Sequence, residues 1–509
     1  MKDRIYQLII ARIDGEKIGS REYEEYILKL VRMGVSGFII FGGKRDRVKG
    51  FVNHIQSVAE VPLFIGSDIE RGVGQQIEDA TPFPSQMAFA AAIDKNNSDD
   101  VDLFRESLSA IADEAIDCGI NMVYAPTLDV NRNPDNPIIC TRAFSDDPRT
   151  VEWFGCEYIK AFEARGLISC GKHFPGHGDT TVDSHISLPV IAKSYQELLD
   201  VDVMPYRQAI KDGMSSVMVG HLSIPAIDRL PASMSINAVS GLLRYKLGFG
   251  GLILTDALTM SALKDFDNVA AQCLNAGVDI LLHPGDVDET VRDVEEALKQ
   301  GTLREEQIET ALERVARTKK RIAAYARGAG DQKPEDVKGY PSGVRGAPVD
   351  YKKDEELSAK ITGKAVSLVA QKNRMIPVDK EASVIFAGDD SNFESSPFKK
   401  YFPQVSRLGQ TAHTGKTLIV AIFTSVAAWK GSSGINPESR KEIFRAASEA
   451  EHSIVISFGS PYVLRYFGQA DMRIAAYDPT EEAQRAVIRC LAGEKPFEGS
   501  LPVNLMSVE

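Results

Sequence analysis

Eight short apolar runs spread over the first 325 residues limit what this chain can fold into more than any other feature. They read "QLIIARI", "GFIIFGG", "PLFIGSD", "NMVYAPTLDV", "ISCGKHF", "SVMVGHLSI", "GLILTDAL" and "VDILLHPG". Val, Ile, Leu and Phe dominate them, the composition of strands buried on both faces. Between most of them lie amphipathic stretches such as "SYQELLDVDVMPYRQAIKDG" and "LFRESLSAIADEAIDCG", the latter ending on Gly119 as a C-cap. Eight strands with intervening helices in about 300 residues predict an α/β fold with an N-terminal (β/α)8, TIM-like barrel. An open doubly wound sheet is the alternative. Charged or polar residues close the runs: Asp68, Asp129, Lys172 with His173, His221, Asp256 and His283. In barrels that end of the strands carries the active site. Helix N-capping is the competing use for the aspartates.

The stretch 326–350 is rich in Gly, Pro and charge and reads as a linker. Beyond it "ASVIFAG", "TLIVAIFT", "HSIVISFGSPYVL" and "RIAAYD" alternate with helical patterns. The expected organisation is a catalytic barrel over 1–325, the linker over 326–350, and a smaller α/β layered-sheet domain over 351–509.

The net charge of −12, without a Lys/Arg run or a basic-aromatic stripe, argues against nucleic acid or an anionic membrane as partner. No segment reaches the roughly 18 apolar residues of a membrane span. The start, "MKDRIYQLIIARIDG", lacks the apolar run and small-residue cleavage site of a signal peptide. A cytoplasmic protein is expected. The six scattered cysteines form no CxxC pair and read as reduced, structural thiols.

The chemistry concentrates in "GKHFPGHGDTTVDSH", residues 171–185. Asp183 and His185 stand two apart, so a carboxylate in a turn can accept a hydrogen bond from the imidazole. Such a partner fixes the ring tautomer and favours its charged form. A histidine so prepared delivers a proton near neutral pH. Asp256 ends an apolar strand and, held by Lys172 or Arg142, would serve as nucleophile or electrostatic stabiliser. His177, between Gly176 and Gly178, reads as a loop-ordering residue. His173 reads as a ligand-binding one. His221 and His283 either line the mouth or satisfy local hydrogen bonds. No His-x-x-x-His or Cys partner completes a metal set, so no metal and no cofactor is expected.

The stretches "KHFPGHGDTTVDSH", "LILTDALTM", "SDIERG…TPFPSQMAFAA" and "DVNRNPDNPIICTRAFSDDP" resemble family three glycoside hydrolases. The branch they resemble is that of the bacterial β-N-acetylglucosaminidases. The resemblance extends to "AYDPTEEAQRAVIRCLAGEKPFEGSLPVNL" near the C-terminus. It implies Asp256 as the nucleophile of a covalent glycosyl-enzyme, His185 as general acid/base and Asp183 as its dyad partner. It also implies Asp68, Arg142, Lys172 and His173 as sugar ligands. Relatives acting on glucosides place a glutamate in their second domain instead. The chain departs from the pattern at Arg71, where a glycine is usual, and at Gln76, where an arginine is usual. Glutamine replaces a charged fork of donors with a weaker amide. The implied partner is a small saccharide containing N-acetylglucosamine, a muropeptide or chitooligosaccharide. Rival readings are a phosphorylase using the same residues, a β-glucosidase-type hydrolase, and a sugar-binding protein with an inactive site.

Overall fold

The computed structural model describes residues 2–326, 348–373, 375–388, 396–410, 416–426 and 430–505. The expected linker falls largely outside the described residues. Those residues gather into two compact units. The first comprises Met1–Pro82, Arg105–Val130 and Val151–Asp354; the second Phe83–Phe104, Asn131–Thr150 and Glu355–Glu509. The segments 83–104 and 131–150 therefore group with the C-terminal residues, not with the strands that flank them in sequence.

The first unit is an eight-stranded parallel barrel: β1 (Ile9–Asp14), β2 (Gly37–Phe41), β3 (Phe64–Ser67), β4 (Met122–Val123), β5 (Ile168–Phe174), β6 (Ser216–Val219), β7 (Leu252–Thr255) and β8 (Leu281–Leu282). Neighbours run in sequence order from β1 to β7, and β8 pairs with β1. A parallel bridge between Leu254 and Ile280 closes the ring. The eight apolar runs thus map onto eight strands. They differ in length: "ISCGKHF" is a strand throughout, whereas "NMVYAPTLDV" keeps only two ladder residues. The continuous ladder ends at Val123; beyond it the Pro126 carbonyl accepts the Lys172 N–H at 3.2 Å and Thr127 forms an isolated parallel bridge with Lys172.

Helices follow the strands, including 21–32, 45–58, 269–276, 287–299 and 305–326. In 21–32, Ile27, Leu30 and Val31 are buried, the i, i+3, i+4 face of an amphipathic helix. "SYQELLDVDVMPYRQAIKDG" forms two helices, 195–200 and 204–211, because Pro205 sits in the first turn of the second.

The second unit contains a six-stranded sheet: β9 (Ser367–Gln371), β10 (Ser383–Gly388), β11 (Val405–Arg407), β12 (Thr417–Phe423), β13 (His452–Phe458) and β14 (Met472–Ala475). Its order is β11-β10-β12-β13-β14-β9, parallel except for β9 against β14. Phe423 stacks on Phe458 at 4.8 Å between centroids, and Phe386 and Phe398 pack edge-on around them. Tyr462, in a short helix after β13, ties the segment 131–150 to this unit. Its hydroxyl donates to the Asn131 carbonyl and accepts from the Asn131 side-chain amide, both at 3.0 Å.

Candidate active site

The charged groups at the strand exits of the barrel form one connected set. From β5, the Lys172 ammonium lies 2.6 Å from Asp68 Oδ1 and 2.6 Å from Glu70 Oε1. Asp68 and Glu70 follow β3, so the lysine reaches over the intervening β4. Lys172 and Glu70 are buried, while Asp68 keeps a quarter of its side chain exposed. A buried ammonium needs this compensation, since an unpaired charge away from water is costly.

The next residue, His173, is held from behind. Asp129, fully buried after β4, accepts the His173 N–H at 3.2 Å, its Nδ1 at 2.7 Å and the His177 N–H at 2.7 Å. Burial would raise the Asp129 carboxyl. The nearby imidazoles and the donated hydrogen bonds outweigh it and hold the carboxyl below its ordinary value. His177 is buried, with Nδ1 2.8 Å from Thr180 Oγ1 and Nε2 3.1 Å from Ser184 Oγ. Burial and neighbouring His173 push it down to about 4, so its ring is neutral at pH 7. It links the end of β5 to the turn that carries the next two residues.

In that turn Asp183 is fully buried, and its Oδ1 accepts both the His185 N–H at 2.8 Å and His185 Nδ1 at 3.0 Å. The His185 side chain keeps 35% of its surface exposed. Burial again opposes ionisation of Asp183. The two hydrogen bonds from His185 outweigh it and keep the carboxyl below its ordinary value. The Ile186 and Ser187 N–H groups close the turn onto the Asp183 carbonyl at 2.9 and 3.1 Å.

The loop is tethered at several points. Ala262, beyond β7, donates to the Ser184 carbonyl at 3.3 Å. Ser223, beyond β6, exchanges hydrogen bonds of 2.9 Å with Pro189 and Ile191. At the base, Lys193 pairs with Asp179 and, at 2.7 Å, with Asp202.

Asp256 leaves β7 with its N–H on the Val219 carbonyl at 3.0 Å, and its Oδ1 accepts the Ala257 N–H at 2.8 Å. The residue as a whole is half-buried. Burial would raise its pKa. The combined pull of His173, His221, the Ala257 N–H and His185 brings it below the ordinary carboxylate value. His221, wholly buried, bonds Ser233 Oγ at 2.8 Å and the Ala257 carbonyl at 3.3 Å, and so braces the segment just after Asp256.

Of the residues expected from the sequence, Asp68, Lys172, His173, Asp183, His185 and Asp256 all lie at the barrel's strand exits. Arg142 belongs to the second unit, where its guanidinium donates to the Ile138 carbonyl at 3.2 Å. Sequence reasoning missed Glu70 as the second acid on Lys172 and Asp129 as the anchor of His173. The only trace of Glu70 in the sequence is its i+2 spacing from Asp68. Among the described residues no cluster of three or more His, Cys, Asp or Glu could hold a metal ion.

A parallel (β/α)8 barrel with paired acids, a lysine and an Asp–His couple at its strand exits is the framework of a barrel enzyme. The chain belongs to glycosyl hydrolase family 3: the model of that family's N-terminal domain matches residues 1–318. It is a glycoside hydrolase of the β-hexosaminidase and β-glucosidase type. It is 29% identical to beta-hexosaminidase A of Pseudoalteromonas piscicida over 93% of this chain and 90% of that one. It is 27% identical to a beta-N-acetylglucosaminidase/beta-glucosidase of Cellulomonas fimi, over 94% and 90%. A family 3 β-N-acetylglucosaminidase structure from Paenibacillus sp. str. FPU-7 superposes with a TM-score of 0.82 at 26% identity, covering 100% of this chain and 99% of that one. No helix among the described residues is long and apolar enough to cross a membrane.

Proposed function

We propose that the protein is a retaining, exo-acting β-N-acetylglucosaminidase whose acid/base is the Asp183–His185 couple and whose nucleophile is Asp256. One arrangement supports this reading: buried Asp183 holds the His185 N–H at 2.8 Å and its Nδ1 at 3.0 Å, and a separate carboxylate, Asp256, stands at the end of β7 with its Oδ1 on the Ala257 N–H. In the first step an Asp256 oxygen attacks the anomeric carbon, and the bond to the leaving oxygen breaks. Protonated His185 gives that oxygen its proton. In the second step neutral His185 takes a proton from water, whose oxygen displaces Asp256 and regenerates the carboxylate. Esterification removes the Asp256 charge between the steps, which favours the neutral imidazole when a base is needed. Lys172, His173 and Asp68 serve as ligands of the sugar hydroxyls. The N-acetylglucosamine preference rests on the names of the relatives and on the histidine acid/base that the resemblance implies. Saccharides such as muropeptides or chitooligosaccharides, met in the cytoplasm, are the proposed substrates.

The test compares aryl β-N-acetylglucosaminides of graded leaving-group pKa in phosphate and phosphate-free buffer. His185→Gly should cost about 10²- to 10⁴-fold on poor leaving groups and far less on activated ones. Equal losses on both remove His185 from the acid role. Asp256→Asn should abolish turnover on every substrate; substantial residual activity removes it as nucleophile. Release of sugar 1-phosphate, rather than free sugar, would reassign the reaction to phosphorolysis.

A further inference from the structure

The strip of chain that carries the Asp183–His185 couple has little packing to hold it. Thr181, Val182, Ile186, Ser187 and Val190 are exposed, whereas β5, which leads into the strip, is buried throughout. Ser184, Pro189 and Ile191 are tied to the barrel through backbone hydrogen bonds. The two ends of the strip meet in a buried ion cluster. Asp179 stands at its start, two residues after His177. Lys193 stands at its end, just before Ser194, which caps the helix 195–200. The Lys193 ammonium pairs with Asp179 and, at 2.7 Å, with Asp202, in the turn between the helices 195–200 and 204–211. One ammonium therefore closes residues 179–193 into a loop and fastens its neck to that turn.

The cluster has no spare partners. The side chains of Lys193 and Asp202 are 8% and 1% exposed. Among the described residues neither Asp179 Oδ1 nor Asp202 Oδ1 has a hydrogen-bond partner, so both carboxylates depend on the one lysine. Burial opposes the charge on Lys193; Asp202 and Asp179 outweigh it and hold the ammonium above its ordinary value. Remove the lysine, and the two carboxyls either repel or take up a proton; neither outcome holds the neck shut. The fit beneath is close. A Cβ on Gly176 would lie 2.5 Å from the Asp202 Cβ, and the next residue, His177, reaches Ser184 Oγ at 3.1 Å beside the couple. Buried and engaged by two acids, Lys193 acts through the loop and not on the sugar.

We propose that Lys193 is a positioning residue: by clasping Asp179 and Asp202 it closes the neck of the loop and holds the Asp183–His185 couple in place for proton transfer. The proposal rests on the acid/base reading above, and its test separates the two. The probes are aryl β-N-acetylglucosaminides with poor and activated leaving groups. Lys193→Met should lower kcat/KM about 10- to 100-fold on the poor ones and leave the activated ones near wild type. Lys193→Arg, which keeps the charge, should restore part of the loss. In a His185→Gly background, adding Lys193→Met should cost nothing further, because no acid is left to misplace. In hydrogen exchange, the amides of 180–192 should exchange faster in Lys193→Met, with those of β5 unchanged.

Equal losses on both substrate types, or a full additional loss in the His185→Gly background, overturns the positioning role. Where Lys193→Met fails to fold, Asp179→Asn, which keeps the Lys193–Asp202 pair, should give a smaller loss of the same kind; a loss independent of the leaving group overturns the role there too. If His185→Gly itself shows no dependence on the leaving group, the acid/base reading fails on its own. Faster exchange confined to 180–192 then still supports the clasp, and unchanged exchange overturns it.

Discussion

Replacing Lys172 by methionine tests the electrostatic core of the site. The ammonium bridges Asp68 and Glu70 at 2.6 Å each, so the two carboxylate oxygens stand at most twice that distance apart. Without the cation, two like charges at that separation repel by about 3 kcal/mol at an effective dielectric of about 20. The same size, about 3–5 kcal/mol, follows from removing one partner of a buried pair. Glu70 is 2% exposed and Asp68 25%, so water relieves little of it. The expected loss in unfolding free energy is therefore about 3 kcal/mol at pH 8.

Its pH dependence has a definite sign. In the variant one carboxyl is pushed to take up a proton in the folded state. Its penalty is absent below the ordinary carboxylate value of about 4 and grows as pH rises above it. Urea unfolding of wild type and Lys172→Met at pH 5 and pH 8 should show the smaller gap at pH 5. Adding Glu70→Gln should recover most of the loss. A gap below about 1 kcal/mol at pH 8, or one that neither pH nor Glu70→Gln alters, refutes the bridge as drawn.

Gly176 has φ of 145°, and a Cβ there would lie 2.5 Å from the Asp202 Cβ. Gly176→Ala should therefore cost about 1–3 kcal/mol, read by thermal melting, with turnover falling as the His185 loop shifts. Asp183 has its folded pKa depressed, so the stability it contributes is present above its ordinary value and is lost as pH falls through the lower folded one. Asp183→Asn should be most destabilised relative to wild type between about pH 5 and 8 and should converge on it near pH 3; a constant offset counts against the ionised dyad. All six cysteines are free and buried. A thiol reagent should label them only on denaturation, and rapid native labelling would contradict the core packing.

The barrel was legible because doubly buried strands cannot hide their composition: each of the eight apolar runs contains a strand. The single long helical pattern before residue 213 divided because Pro205 can open a helix but not continue one. The titratable residues at the strand exits were legible for a related reason: a charge ending an apolar run has few structural uses. The partners of those charges were not legible. Glu70 meets Lys172 across 102 positions of sequence, and Asp129 meets His173 across 44. Such pairings depend on strand stagger and on where the chain bulges between Gly171 and Phe174, which no local pattern encodes. The grouping of 83–104 and 131–150 with the C-terminal unit was likewise invisible, since it depends on contacts such as Asn131 with Tyr462, 331 positions away.

The Asp–His couple and Asp256 are mounted differently. Asp256 emerges directly from a strand of the closed ring, while His185 rides on a strip of chain pinned near Asp179, Ser184, Pro189 and Lys193. Evolution can lengthen, shorten or rewrite that strip between its pins while the ring stays intact. On the roles proposed above, the choice of what is expelled, and of what arrives to replace it, would drift with that strip while the ring keeps its hold on the sugar.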